Sequence, residues 1–450
     1  MDMKKKILIL LLAMAVFSSC TDQLNLTPFN TIDSSLATST SKDIEALMVG
    51  AYTFLGDGDV YGGNMQRDAE LIGDAYPTGS EMFWDGTFVD PGEVWTKSIL
   101  VTNGQAELTW LDSYRAINIC NTVLANLDVV QDEKVDRIEG EAKFIRGTIY
   151  FELVRIYART WTDPNGTPAT NPGVPLVLEP NVIGLVGRST VAEVYAQVIS
   201  DLQDAETLLP GSNGFFATTY SASAMLSRVY LMQNNYPAAR DAADRVIQSG
   251  EFDLLTNYAD NFNNSSNGSS NATIEDVFSI QVTTQAGINN MNTFFATSDF
   301  GGRGDIYIEP AHFALYEVGD ERLDLFYDGE RTGKWNNQFG NVNIIRLAEM
   351  YLTRAEANLQ AGTTVGDTPL NDVNTIRNRV GLIDLGSVTI SDILNERHLE
   401  LAFEGHLIHD LKRTQRSVGT LAFDAPELIF PIPNREIQIN PDLEQNEGYD

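Results

Sequence analysis

The stretch YSASAMLSRVYLMQNNYPAARDAADRVIQSGEFDL, residues 220–254, restricts the fold more than any other part of this 450-residue chain. Small residues (Ala222, Ala239, Ala242) alternate with large ones (Leu226, Tyr230, Tyr236) at helical spacing, and Asn234-Asn235 falls between the two runs as a turn. Small against large lets two helices approach closely, and so short a turn makes them antiparallel. Such a pair exposes apolar surface on its outer faces, so it is stable only when further pairs stack on it.

The rest of the chain supplies those pairs. SKDIEALMVGAYTFLG sets Ile44, Leu47, Met48 and Tyr52 on one face, with Ser41 as the expected N-cap. AELTWLDSYRAINICNTVLANLD and VDRIEGEAKFIRGTIYFELVRIYART are two long amphipathic helices joined by a short polar turn. In the second, Ile145, Ile149, Leu153 and Ile156 form one apolar stripe. The 220–254 unit is similar to a tetratricopeptide pair. IIRLAEMYLTRAEANLQAG followed by LNDVNTIRNRVGL resembles a second one. Cys120 keeps step with Ile117, Leu124 and Leu127 and reads as a small core residue.

The N-terminus is of another kind. Lys4, Lys5 and Lys6 precede an apolar run of 11 residues, Ile7 to Phe17, which is a secretory leader and too short to span a bilayer. Ser18-Ser19 before Cys20 resembles the site at which bacterial lipoproteins are cleaved and acylated, so Cys20 is the expected lipidation residue. Residues 1–19 are then the signal peptide, 20–40 a lipid tether and 41–450 one domain. Loss of the leader removes three lysines and one aspartate and moves the net charge from −32 to −34. A body this acidic is repelled by phosphate backbones, which excludes nucleic acid as a ligand.

Two segments break the helical period, 57–104 and 251–343, both rich in Gly, polar residues and aromatics. They read as loop-rich excursions from a helical scaffold at approximately 41–56, 105–249 and 344–413, followed by an extended tail, 414–450, stiffened by Pro431 and Pro433. Upstream of the tail, Glu396, Glu400 and Glu404 fall at successive i,i+4 steps. Like charges so placed repel unless cations pair with them, and Arg377, Arg379, Arg397 and Arg413 are at hand.

Four stretches, EAKFIRGTIYFELVRIYA, IIRLAEMYLTRAEANLQAG with IRNRVGL, NERHLELAFEGHLIHDLKR and PIPNREIQINPDLEQNEGY, together resemble the SusD/RagB family of outer-membrane nutrient-binding lipoproteins. Leu407 stands where that family usually has Arg after Glu-Gly-His, which bears on one buried ion pair. Glu447 stands where it has Pro, which bears on the stiffness of the tail. The resemblance implies a mainly α fold of tetratricopeptide-like stacked helical hairpins with a loop-rich, partly β ligand lobe. It implies a lipid-anchored protein on the outer face of the outer membrane, working with a SusC-like TonB-dependent transporter. It implies capture of a glycan, or in other branches a peptide, without a cofactor and without catalysis.

Sugar rings present C–H patches that stack on aromatic faces, while their hydroxyls need polar partners. The first excursion offers Tyr61, Asn64, Arg67, Asp74, Tyr76, Phe83, Trp84 and Trp95; the second offers Phe300, Arg303, Tyr307 and Trp335. The expected carbohydrate-binding residues are Trp84, Trp95, Tyr61, Tyr76, Phe83, Arg67, Asp74, Tyr307 and Trp335, with Trp84 foremost. Trp110, on a helix, reads as scaffold packing. A surface glycosidase is the enzymatic alternative. It would need two carboxylates across a cleft, and a chain this acidic contains such pairs by necessity. His406 and His409 fall at i,i+3, but there is no His-Glu-x-x-His arrangement, so no metal site is expected.

Overall fold

The computed structural model describes residues 38–180, 185–264, 272–284 and 287–449. The leader, Cys20 and nearly all of the tether lie outside the described residues. In chain order the elements are α1 (Ser41–Leu55), α2 (Asn64–Gly73), β1 (Met82–Trp84), α3 (Val89–Thr96), α4 (Gly104–Leu124), α5 (Asp132–Tyr157), α6 (Val191–Leu208), α7 (Thr219–Met232), α8 (Tyr236–Gln248), β2 (Asp276–Ile280), α9 (Asn290–Phe295), β3 (Ile306–Ile308), α10 (Pro310–Phe313), β4 (Phe326–Tyr327), β5 (Arg331–Thr332), β6 (Val342–Arg346), α11 (Leu347–Ala361), α12 (Pro369–Arg379), α13 (Ile390–Glu400), α14 (Leu407–Arg413) and α15 (Asn434–Ile439). The fold is mainly α. Among the described residues, no helix is long and apolar enough to cross a membrane.

The helices pack in series: α1 on α4, α4 on α5, α5 on α6, α6 on α7, α7 on α8, α8 on α11, and α11 on α12 and α13. The small residues do what their spacing demands. Ala222 and Ala224 of α7 and Ala239, Ala242 and Ala243 of α8 are all fully buried. Where α5 meets α6, a Cβ on Gly147 would come 3.1 Å from the Asp201 Cβ, close enough that a side chain there would need α6 to give by a few tenths of an ångström. The adjacent Arg146 then grips Asp201 with two hydrogen bonds, of 2.8 and 2.7 Å. Cys120 is buried, and burial pushes its thiol up to about 12.

Several local readings shift. Thr40, not Ser41, caps α1 by accepting from the Asp43 amide, 3.3 Å away. Ile344 to Arg346 do not begin a helix; they end β6, which pairs antiparallel with β2 (Ile345 opposite Phe278), and α11 starts at Leu347. Residues 64–73, inside the first excursion, form a helix buried on all sides. The tail is not extended throughout. Residues 429–433 are, but α15 begins directly after Pro433, whose fixed φ suits the position before a helix. Side-chain bonds to backbone hold the tail down. Asn446 Nδ2 donates to the carbonyls of Tyr157 (2.9 Å) and Phe430 (2.8 Å), and the Tyr449 hydroxyl donates to Ile429 (2.6 Å). Glu447 pairs with Arg159.

Where the scaffold meets the excursions lies a buried ion network. Arg346, at the end of β6, reaches Glu275 (2.7 Å), Glu400 (3.0 Å) and Glu404 (2.8 Å). Arg379 pairs with Glu275 and Glu400, Arg322 with Asp320 and Glu396, and Lys334 with Glu404. Arg377 contributes a longer contact to Glu396, whereas Arg397 and Arg413 turn away to Asp410, Glu349 and Glu356. Two of the four arginines expected on the glutamate row therefore serve another cluster. Glu404 also lies beyond the end of α13. Burial works against the Glu400 anion, but the guanidinium groups of Arg379, Arg346 and Arg322 outweigh it and hold the carboxyl at about 2. Replacing Arg346 with Met takes the shared cation from three buried carboxylates, leaving Glu275 and Glu400 to Arg379 and Glu404 to Lys334, and we expect chemical denaturation to record a loss of about 3–5 kcal/mol.

Glu70 has no such partner. Its carboxylate sits before α14 and accepts from the amides of Gly405 (2.7 Å) and His406 (2.8 Å), with Leu407 at 3.4 Å. Burial pushes it up to about 7, against the pull of those amides. Leu407, which supplies no cation here, is half-buried. Between the ordinary glutamate value and about 7 the folded chain holds a proton that the unfolded chain has released, so this group's contribution to stability falls as pH rises. Thermal melts across that window should show a shallower decline for Glu70→Gln than for the parent.

Candidate functional site

The two excursions meet in a two-stranded antiparallel ribbon. β1 pairs with β3 in the register Met82–Ile308, Phe83–Tyr307 and Trp84–Ile306. Side chains alternate across a ribbon, so the register fixes two sets. Met82, Trp84, Ile306 and Ile308 face the core and are buried. Phe83 and Tyr307 lie directly opposite each other on the outer face, Phe83 42% exposed and Tyr307 half-buried. The Arg331 guanidinium sits 3.5 Å from the Tyr307 ring centroid, covering one ring face. Beside Phe83 stands Trp95, edge-on at 5.2 Å, and beyond it the half-buried Tyr76 at 4.3 Å.

Two buried charges shape this lobe. Asp74 accepts from the amides of Glu81 (2.7 Å) and Met82 (3.3 Å), from the Ser80 hydroxyl, and from Trp95 Nε1 (2.9 Å). Lys97 Nζ donates to the carbonyls of Leu71 (3.1 Å), Asp74 (2.6 Å) and Trp95 (2.7 Å). Burial draws its ammonium down to about 8. Together they fix the ends of the loop that carries β1 and α3.

The ribbon's far end leads to a second open aromatic group. Asp85 donates its amide to the Asp305 carbonyl (2.8 Å), continuing the pairing past Trp84. Arg303 follows, bonded to Asp305 (2.8 Å) and to the Thr87 hydroxyl (3.1 Å), with its guanidinium 4.5 Å from the Phe88 ring. Phe88 is 50% exposed, and Phe300, edge-on to Tyr327, is also exposed.

Of the nine expected binding residues, only Phe83, Tyr76 and Tyr307 reach this surface; the other six are buried. Trp84, 7% exposed, is turned inward by strand alternation, packs near Phe294, and is capped by Gly86, where a Cβ would come 2.4 Å from the indole. Trp335 is enclosed and donates to the Phe403 carbonyl (3.1 Å). Tyr61 donates to Glu152 (2.6 Å). Arg67 is held by Asn64 and Asp68 beneath the Phe294 ring. Asp74 is the loop's hydrogen-bond hub, and Trp95 keeps only an edge near the surface. A ring so enclosed has no face to offer a sugar. Phe88 was missed because a lone Phe in a Gly-Thr-Phe-Val-Asp-Pro stretch gives no sequence signal of exposure.

Residues 30–231 match a family model described as starch-binding, associating with outer membrane, and residues 322–425 match one described as SusD family. The SusD-like protein P2 of Formosa agariphila is 24% identical, the alignment covering 91% of this chain and 93% of that protein. A putative sugar binding protein from Bacteroides vulgatus superposes with a TM-score of 0.81 at 25% identity, over 92% of this chain and 99% of that one. A laminarin binding SusD-like protein superposes with a TM-score of 0.73 at 23% identity, over 91% and 100%. These likenesses establish the stacked-helix fold with its appended lobe. On the geometry, Asp74→Ala should lower stability by about 2–4 kcal/mol, since four donors lose their acceptor, and near-ultraviolet circular dichroism should record a changed Trp95 environment.

Proposed function

Because this chain belongs to the SusD/RagB family, whose members bind starch and other glycans and associate with the outer membrane, we propose that it captures a glycan at the cell surface and delivers it to a SusC-like TonB-dependent transporter. Acylation at Cys20 would hold it there, several acyl chains giving stable attachment. The observation that carries the reading is the register that puts Phe83 and Tyr307 side by side on the open face of the β1–β3 ribbon, with Tyr76 beyond Trp95 on the Phe83 side. Rings set on a hydrogen-bonded ribbon lose little freedom when a ligand stacks on them, and that favours affinity. Phe88, Arg303 and Phe300, past the ribbon's far end, form a second open group and supply a guanidinium for sugar hydroxyls.

The glutamates that a catalytic reading would use are committed elsewhere. Glu396, Glu400 and Glu404 are buried and paired with arginine or lysine, so none is poised across an open cleft as a glycosidase acid and base must be. This supports binding without turnover.

Isothermal titration against starch fragments, laminarin oligosaccharides and a panel of peptides tests the proposal. A glycan from the panel should bind, and Phe83→Ala with Tyr307→Ala should weaken it by about tenfold or more. Trp84→Ala should instead lower stability by about 3–5 kcal/mol, as a core truncation does. Unchanged affinity in the Phe83/Tyr307 double variant, or binding confined to peptides, would overturn this assignment.

A further inference from the structure

At the start of the ribbon, three chain segments converge on one carboxylate oxygen. Glu81 lies just before β1, its backbone fixed by Asp74 on one side and by the Glu309 amide (2.9 Å) on the other. His312, on α10, brings Nδ1 to 2.7 Å from Glu81 Oε2, and His398, on α13, brings Nε2 to 2.8 Å from the same atom. All three ligand-type atoms lie within 4.8 Å of one another. The far nitrogen of His312, Nε2, is 3.0 Å from the Tyr316 hydroxyl, and its ring rests 4.7 Å from that of Phe403, so the imidazole is held in place. Glu81 and His398 also line an open cleft of about 330 Å³, shared with Asn395, Leu407 and Arg416.

We propose that Glu81, His312 and His398 form a binding site for a divalent transition ion of the Zn²⁺ type. Two imidazoles and one carboxylate are a ligand set that Zn²⁺ takes, and the adjoining cleft leaves the fourth position to water. For bonds of about 2.1 Å in a tetrahedron, ligand atoms stand about 3.4 Å apart. The two hydrogen bonds therefore open by roughly 0.6–0.7 Å, and Glu81 and His398, both at the cleft edge, have room to do so. On binding, the N–H protons now pointing at Glu81 leave the two coordinating nitrogens. On His312 the proton moves to Nε2, which then donates to the Tyr316 hydroxyl and orients the ring as an outer-shell partner does. His398 binds through Nε2 as neutral imidazole with its one proton on Nδ1, and any second proton goes to solvent. The ion would join the ribbon, α10 and α13 at one point, and this inference does not depend on which glycan the protein takes.

The geometry was invisible in the sequence because Glu81 is 231 residues from His312 and 317 from His398. The chain has four histidines, and the other two, His406 and His409, are buried in the core, so competing imidazole sites are few.

Tag-free protein stripped with a chelator and titrated with Co²⁺ tests the proposal. We expect a visible d–d absorption that saturates at one equivalent and is displaced by Zn²⁺, with a rise in melting temperature. His398→Ala should abolish the band, and Glu81→Gln should weaken binding by about tenfold or more. A parent protein that shows no saturable band, or a His398→Ala variant that binds as the parent does, overturns the site. The parent titration decides the matter even where a variant fails to fold.

Discussion

Arg346 is the interaction on which the rest of the architecture turns. It stands at the end of β6, one residue before α11, the helix on which α8, α12 and α13 all pack. Its guanidinium gathers Glu275 from the approach to β2, Glu400 from the end of α13 and Glu404 from the turn beyond. A buried cation of this kind contributes little net energy when fully paired, and a great deal is lost when it is removed. Its consequence is geometric. With every carboxylate around it committed, the scaffold and the returning C-terminal segment can meet in only one register.

The ligand lobe is built on the same logic at smaller scale. Asp74 takes up the amides of the loop and Lys97 takes up its carbonyls, so a loop without much core of its own is shaped by two buried charges. The β1–β3 ribbon is then short, at three residues a strand, yet fixed in register. Two-stranded ribbons are marginal alone, and this one is carried by the core beneath Trp84 and Ile306. The open rings on its outer face inherit that rigidity.

Much of the scaffold was legible in the sequence. The apolar stripe of α5, the small-against-large pairing of α7 and α8, and the turn at Asn234 depend on contacts three or four residues apart, so local spacing specifies them. The lobe was less legible. A Trp in a Gly-rich loop gives no sign of which face it takes, and three residues of strand are too few to show alternation. Phe83 and Trp84 are neighbours, so one step of the pleat sends one outward and the other into the core. Helix α2 was hidden for a related reason. Buried on every side, it has no polar face, and Arg67, Asp68 and Glu70 within it read as surface residues until their partners are known.

The sequence by itself determined that this chain stacks helical hairpins, carries two excursions from them, and resembles the SusD/RagB family, because helical period and short motifs are local properties. Only the tertiary structure decided which rings remain open, which arginines serve which glutamates, and that Glu81, His312 and His398 come together. Those outcomes rest on pairs separated by tens to hundreds of residues, and a linear chain records such pairs nowhere except in the fold that satisfies them.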